Sequence, residues 1–233
     1  MAGYDTLEID LTMGCEAGLD KNCFEWDYKA HMTICEAALP DADPPGSCQP
    51  EVRDADTDEV LTAADTLPCP CNSPWEGPVE RTRTCNAVTD PDTGEVTGGA
   101  YGACNCTCGP EIGRWITSYH RQGRWLTDIT PALAWMQQGG PARLVWHTSY
   151  NYFMSGELRF ADENKPDAPF AYEVLWGGGG FGSGYNDAHA PIEFQAPEGT
   201  TRAEVVAFIT GHGFASDDAN CAEFCPHAHN FQL

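Results

Sequence analysis

The chain has 233 residues, 42% hydrophobic and 11% aromatic, which is enough to build a packed core and too apolar for a disordered segment. Its 35 acidic residues against 12 basic ones leave a formal charge of −23. That surface repels phosphate backbones and anionic lipid headgroups, so nucleic acid is excluded as a partner. No apolar run approaches the ~20 residues of a membrane-spanning helix, so membrane insertion is not expected either.

Twelve cysteines are too many for a reduced cytosolic protein of this length. Disulfides are expected, and with them an exported protein: secreted, periplasmic or on a cell surface, with bacterial export favoured. Zinc is the competing use of the close pairs, such as Cys69 with Cys71 and the run Cys104, Cys106, Cys108. Their C-x-C spacing argues against it, because zinc ribbons offer C-x2-C knuckles. No secretory apolar region follows Met1, so "MAGYDTLEIDL" is read as a mature domain restarted at an expression Met.

Along the chain, residues 4–13 partly alternate, with Leu7, Ile9 and Leu11 on one face, the pattern of a strand buried on one side. "CEAGLDKNCFEWDY" follows, then a short strand in "YKAHMTI". Residues 35–109 are rich in Asp, Pro, Gly and Thr and hold eight of the twelve cysteines. A structureless loop of that length is unusual in a compact domain, so the segment is read as a disulfide-tied insertion with local hairpins. "TDPDTGEV" is one hairpin turn, with Gly94 free to take positive φ. "DADTDEV" at residues 54–60 mimics the start of a calcium loop but lacks glycine at the sixth position.

Strand patterning resumes in "IGRWITSY", and "TDITPALAWMQQGG" reads as a strand end, a turn or two of helix and a glycine stop. "ARLVWHTSYNYFMSGELRF" supplies at least one long strand, "ADENKPDAP" a linker, and "FAYEVLW" and "AEVVAFITG" further strands. No internal repeat is apparent. Strands dominate, so the expected class is all-β, a sandwich or jelly roll.

Two constellations carry chemistry. In a strand, Glu25 and Asp27 would share one face with Trp26 on the other. Two carboxylates beside a ring are a way to raise one pKa and make a base near neutrality, although a solvated acidic edge has the same spacing. In "TGHGFASDDANCAEFCPHAHNFQL", Cys221 and Cys225 could close a small ring around Glu223, and His212, His227 and His229 cluster nearby. An H-x-H on a strand directs both imidazoles to one face, which suits copper or zinc. Surface histidines are the plain alternative. No G-x-S-x-G nucleophile elbow occurs, and "WGGGGFGSG" lacks the Lys and helix of a phosphate cradle.

"CFEWD" and "CAEFC", in that order, resemble the Cys-x-Glu-Trp-Asp and Cys-Ala-Glu-Trp-Cys segments of the peptide-N-glycosidase F family. Between them "GRWITSY" resembles that family's "GRFITPY", and "TDIT" its "DVTD"-like segment. The resemblance runs from Leu7 to Leu233, interrupted by residues 35–109, and marks a divergent member.

It implies two jelly-roll domains: a first at residues 1–161 carrying the insertion at about 35–109, and a second, incomplete one at 167–233. It also implies hydrolysis of the amide joining an asparagine side chain to N-acetylglucosamine in N-glycopeptides or glycoproteins, with no cofactor required. Asp27 matches the family's primary catalytic aspartate and Glu223 its second-domain glutamate; Glu25 and Trp26 would contact substrate. Disulfides Cys15–Cys23 and Cys221–Cys225 are implied as well.

This chain departs from the pattern in three places. Ser149 stands where the family has a further glutamate in its substrate site, and Asn151 where it has a tryptophan. The family also continues beyond the position of Leu233, so a C-terminal truncation, or a separate C-terminal fragment of the same precursor, is expected. Two other functions fit the residues. One is a copper protein like the peptidylglycine monooxygenases, with His227, His229 and Met154 or His212 as ligands. The other is a non-catalytic glycan- or protein-binding envelope protein.

Overall fold

The computed structural model describes residues 3–15, 23–40, 46–136, 139–149, 152–177, 184, 185, 187, 189–210, 228 and 231. Among these residues the regular structure is eleven strands and one short 3-10 helix, Thr130–Met136. The pairings Thr6–Gly14 with Phe153–Ala161 and with Gly123–Asp128 are antiparallel, as are those within residues 52–101. The all-β class with a disulfide-rich insertion is the one observed.

The chain forms two compact units. The first comprises Met1–Thr33, Pro110–Gln137 and Val145–Leu233, and the second Ile34–Gly109 with Gln138–Leu144.

In the first unit β1 (Thr6–Gly14) is the centre of a three-stranded sheet, flanked by β11 (Phe153–Ala161) and β9 (Gly123–Asp128). The register with β11 is unbroken from Thr6↔Ala161 to Gly14↔Phe153. Leu7, Ile9, Leu11 and Met13 are almost wholly buried, as the alternation predicts.

The other face of β1 is not the solvated one expected, since Thr6 and Asp10 are buried too. Asp10 is held between Arg124 of β9 and Arg159 of β11. The paired guanidinium of Arg124 is the main reason its carboxyl lies below the usual range. Buried carboxylates persist in a sheet only with such partners.

The linker residues after β11 are tied back to Asp5, the residue just before β1. The Asp5 carboxylate accepts from the backbone N–H of Glu163 at 2.9 Å and of Lys165 at 2.6 Å. The Glu163 bond leads in lowering its pKa.

β2 (Lys29–Ala38) pairs with both β8 (Cys108–Ile116) and β10 (Ala142–Thr148). The long pattern "ARLVWHTSYNYFMSGELRF" therefore divides into two strands, β10 and β11.

Two glycines explain how the tryptophans fit. Gly113-Arg114-Trp115 lies in β8 and Gly123-Arg124-Trp125 in β9, and each indole folds back over the glycine two residues earlier. A methyl group at Gly113 would sit 2.4 Å from the Trp115 ring, and one at Gly123 2.0 Å from the Trp125 ring.

In the second unit β5 (Thr66–Ser73), β6 (Gly77–Thr89) and β7 (Val96–Tyr101) form a meander, and β3 (Val52–Arg53) pairs with β4 (Val60–Thr62). Disulfides Cys35–Cys108, Cys48–Cys85, Cys69–Cys104 and Cys71–Cys106 tie it together. The C-x-C sulfurs are thus engaged in disulfides, the expected use.

The fully buried Glu36 receives Arg81 through both carboxylate oxygens and the Thr107 N–H at 2.8 Å. The Arg81 guanidinium is the largest influence that brings its pKa down to about 2.

The insertion does contain a local repeat. Residues 54–60, D-A-D-T-D-E-V, and 90–96, D-P-D-T-G-E-V, fold into the same turn. Asp54 Oδ1 accepts from the N–H groups of Asp56 and Thr57, and Asp90 Oδ1 from those of Asp92 and Thr93. The fifth position takes positive φ in both, 58° at Asp58 and 72° at Gly94. Asp tolerates that region better than most side chains, so the turn survives the change of residue that hides the repeat.

The strands expected at "FAYEVLW" and "AEVVAFITG" are not formed among the described residues, which are irregular from the end of β11 onward. β-branched and aromatic composition fits a half-buried pleated surface only when a partner strand supplies the ladder, and no sheet among the described residues includes these segments.

Candidate active site

Asp27 sits on the stretch between Cys23 and the start of β2. The chain bends through Glu25 and Trp26 rather than continuing as a strand, so the two carboxylates do not share a strand face. The bend follows from what anchors it. Cys23 is bonded to Cys15, just beyond β1, and both are buried.

On its other side the stretch is fastened to the segment after β8. Tyr28 N–H donates to Thr117 Oγ1 at 2.8 Å, and Thr117 N–H returns a bond to the Tyr28 carbonyl at 2.9 Å. His120 N–H donates to the Phe24 carbonyl at 3.2 Å. Its ring Nδ1 lies 3.1 Å from the Cys23 carbonyl; a carbonyl can only accept, so Nδ1 carries the proton. The "GRWITSYH" segment therefore acts as a clamp on "CFEWDY".

These contacts set which side chains face water. Trp26 is 65% exposed, Glu25 is exposed, and Asp27 is half-buried. Phe24 is packed between Tyr28 and Tyr152, with ring centroids 6.2 and 5.7 Å away. Tyr119, beside His120, is 54% exposed. A carboxylate on a fixed bend beside a solvent-facing indole can activate water against a group laid on the ring.

Ser149 is exposed just after β10. Met154 lies on β11 opposite Met13 and is 37% exposed. Glu223, His212, His227, His229 and the Cys221–Cys225 pair lie outside the described residues. The structure therefore brings Asp27, Glu25 and Trp26 onto one bend, while the second carboxylate and the histidine set are not placed.

A small apolar pocket lies elsewhere in the first unit, walled by Ile112, Ile129, Trp135, Tyr172, Val206 and Phe208. Tyr172 meets Trp135 edge-on at 4.4 Å. None of Asp27, Glu25, Trp26 or Ser149 lines it. Sequence reasoning missed Thr117 and His120 as the clamp, although their place in "GRWITSYH" beside a shared motif was a usable signal.

The family model for the C-terminal domain of peptide-N-glycosidase F matches residues 181–233. Over those residues the chain is similar to the C-terminal domain of peptide-N-glycosidase F. The matched span contains "CAEFC" with Glu223, one of the two segments on which the resemblance was read. No curated protein and no solved structure matches the chain. Its five disulfides among the described residues suit an extracellular, oxidising setting. No helix among the described residues is long and apolar enough to cross a membrane.

Proposed function

We propose that this peptide-N-glycosidase F-like chain is an exported amidase that cleaves the bond between an asparagine side chain and the first N-acetylglucosamine of an N-glycopeptide. The observation that carries the reading is the disulfide-anchored bend holding Asp27 beside Trp26, in a chain whose residues 181–233 match the family's C-terminal domain. In this mechanism Asp27 takes a proton from water as the oxygen attacks the amide carbonyl. Glu223 assists by orienting that water, and Trp26 and Glu25 meet the sugar and the peptide. Asp27 then passes that proton to the amide nitrogen as the C–N bond breaks, so the nitrogen departs as glycosylamine and the asparagine becomes aspartate. The amidase reading needs no metal. The disulfides support a secreted or envelope location, and bacterial export is part of this proposal.

The test is glycan release from a denatured glycoprotein. Asp27→Asn is expected to lower the rate at least about a hundredfold, the scale of a lost general base. Equal rates in the variant and the parent would defeat the assignment of Asp27.

A second reading rests on Ser149, which cannot supply the charge of the family's glutamate. On that reading the chain keeps a glycan-binding surface without turnover. Saturable binding of the glycopeptide with no release would select it.

A further inference from the structure

Away from the Asp27 bend, two imidazoles meet across adjacent strands. His31 of β2 and His147 of β10 stack with ring centroids 4.6 Å apart and planes 13° from parallel. Thr33, two residues on from His31 and so on the same side of β2, lies 3.4 Å from His147 Nε2 and donates to the Val145 carbonyl at 3.5 Å. The pair is therefore set by paired strands and not by a loop. His147 is exposed and His31 half-buried, so the pair is open to solvent on one side.

The charged groups around it are Glu111 and Arg114 from β8, and Lys29 from β2. Glu111 is taken up by Arg114, with both guanidinium contacts at 2.6 Å, so it offers no free carboxylate. Burial above all holds the His31 imidazole below its usual pKa, with Glu111 acting the other way and His147 adding to the depression.

Neutral ring nitrogens are ligands for late first-row divalent ions, whereas calcium and magnesium select oxygen. Rotation of a histidine ring about χ2 is soft, so both rings can turn a nitrogen toward one ion without moving the strands. The net charge of −23 concentrates cations at the surface.

We propose that His31 and His147 form a two-imidazole site for Cu²⁺ or Zn²⁺, with water or a donor from a bound ligand completing the shell. Copper is favoured over zinc by the general order of affinities. The site is distinct from the H-x-H pair His227 and His229 and does not depend on the amidase reading.

The test is titration of the full chain, without a His tag and after chelator treatment, with Cu²⁺ alone. Heat and the visible ligand-field band are recorded together. One tight equivalent is expected, weakened at least tenfold in both His31→Gln and His147→Gln and unchanged in the double variant His227→Gln, His229→Gln. In the unsubstituted protein the ring-proton resonances of His31 and His147 should broaden first, a readout that needs no variant to fold. No bound copper, or binding lost only in the His227, His229 variant, would overturn the proposal.

Discussion

At the scale of single residues, buried charges in this chain are held in place by specific partners. Glu36 has no exposure, and its folded-state pKa of about 2 lies below the ordinary 4.5. A carboxylate depressed in this way adds stability above pH 4.5, and that contribution is lost as pH falls from 4.5 toward 2. Glu36→Gln leaves Arg81 without its counter-charge and is expected to cost about 3 kcal/mol, as breaking one side of a buried pair does. Denaturant titration at neutral pH checks the size. Repeating it near pH 3 should show the gap between parent and variant narrowing; a constant gap would mean that Glu36 is not ionised in the fold. Little of this was legible in advance. Asp10 reads as one more polar position in an alternating strand, and only the facing arginines, distant in sequence, show why it is buried.

At the scale of elements, the short loop of Cys15–Cys23 fixes the entrance to β2. Closing a loop with a sequence separation of 8 stabilises by roughly 2–3 kcal/mol on the chain-entropy account. The double variant Cys15→Ser, Cys23→Ser should lose about that much in thermal or denaturant unfolding. It should also speed amide exchange at Tyr28 and His120, whose N–H groups join this stretch to the segment after β8. Unchanged exchange there would show that the Thr117–His120 clamp suffices alone. The repeated Gly-Arg-Trp unit makes a second test. Gly123→Ala pushes a methyl into the Trp125 ring and should destabilise by roughly 1–3 kcal/mol, the usual cost of overpacking. A neutral result would mean that the indole swings away freely.

The element scale also shows where sequence patterns hold. β1 and β2 were readable because apolar alternation is a local signal. The turn at Gly94 was readable because its glycine is explicit, yet its twin at Asp58 was not, since the same backbone conformation is reached there by a different residue. Residues 170–176 and 203–210 have strand composition but no ladder partner among the described residues. Pairing is a non-local property that composition does not carry.

For the whole molecule, cysteine number pointed to an oxidising compartment and acidity pointed away from nucleic acid. Parity could not give the connectivity of the insertion, because pairing depends on which strands become neighbours. Cys69–Cys104 and Cys71–Cys106 link two C-x-C pairs in matching order, each across a separation of 35. The peptide-N-glycosidase F likeness was legible from four short motifs. Of the motifs, only "CAEFC" falls within the matched residues 181–233.

The central claim is amide hydrolysis, and the most direct measurement is the fate of the asparagine. A denatured glycopeptide incubated with the protein in heavy-oxygen water should yield free glycan and a peptide in which that asparagine has become aspartate carrying one heavy oxygen. Glycan release that leaves asparagine bearing a sugar stub would instead contradict the amidase. So would an untouched glycopeptide with a protein shown to be folded and fully oxidised.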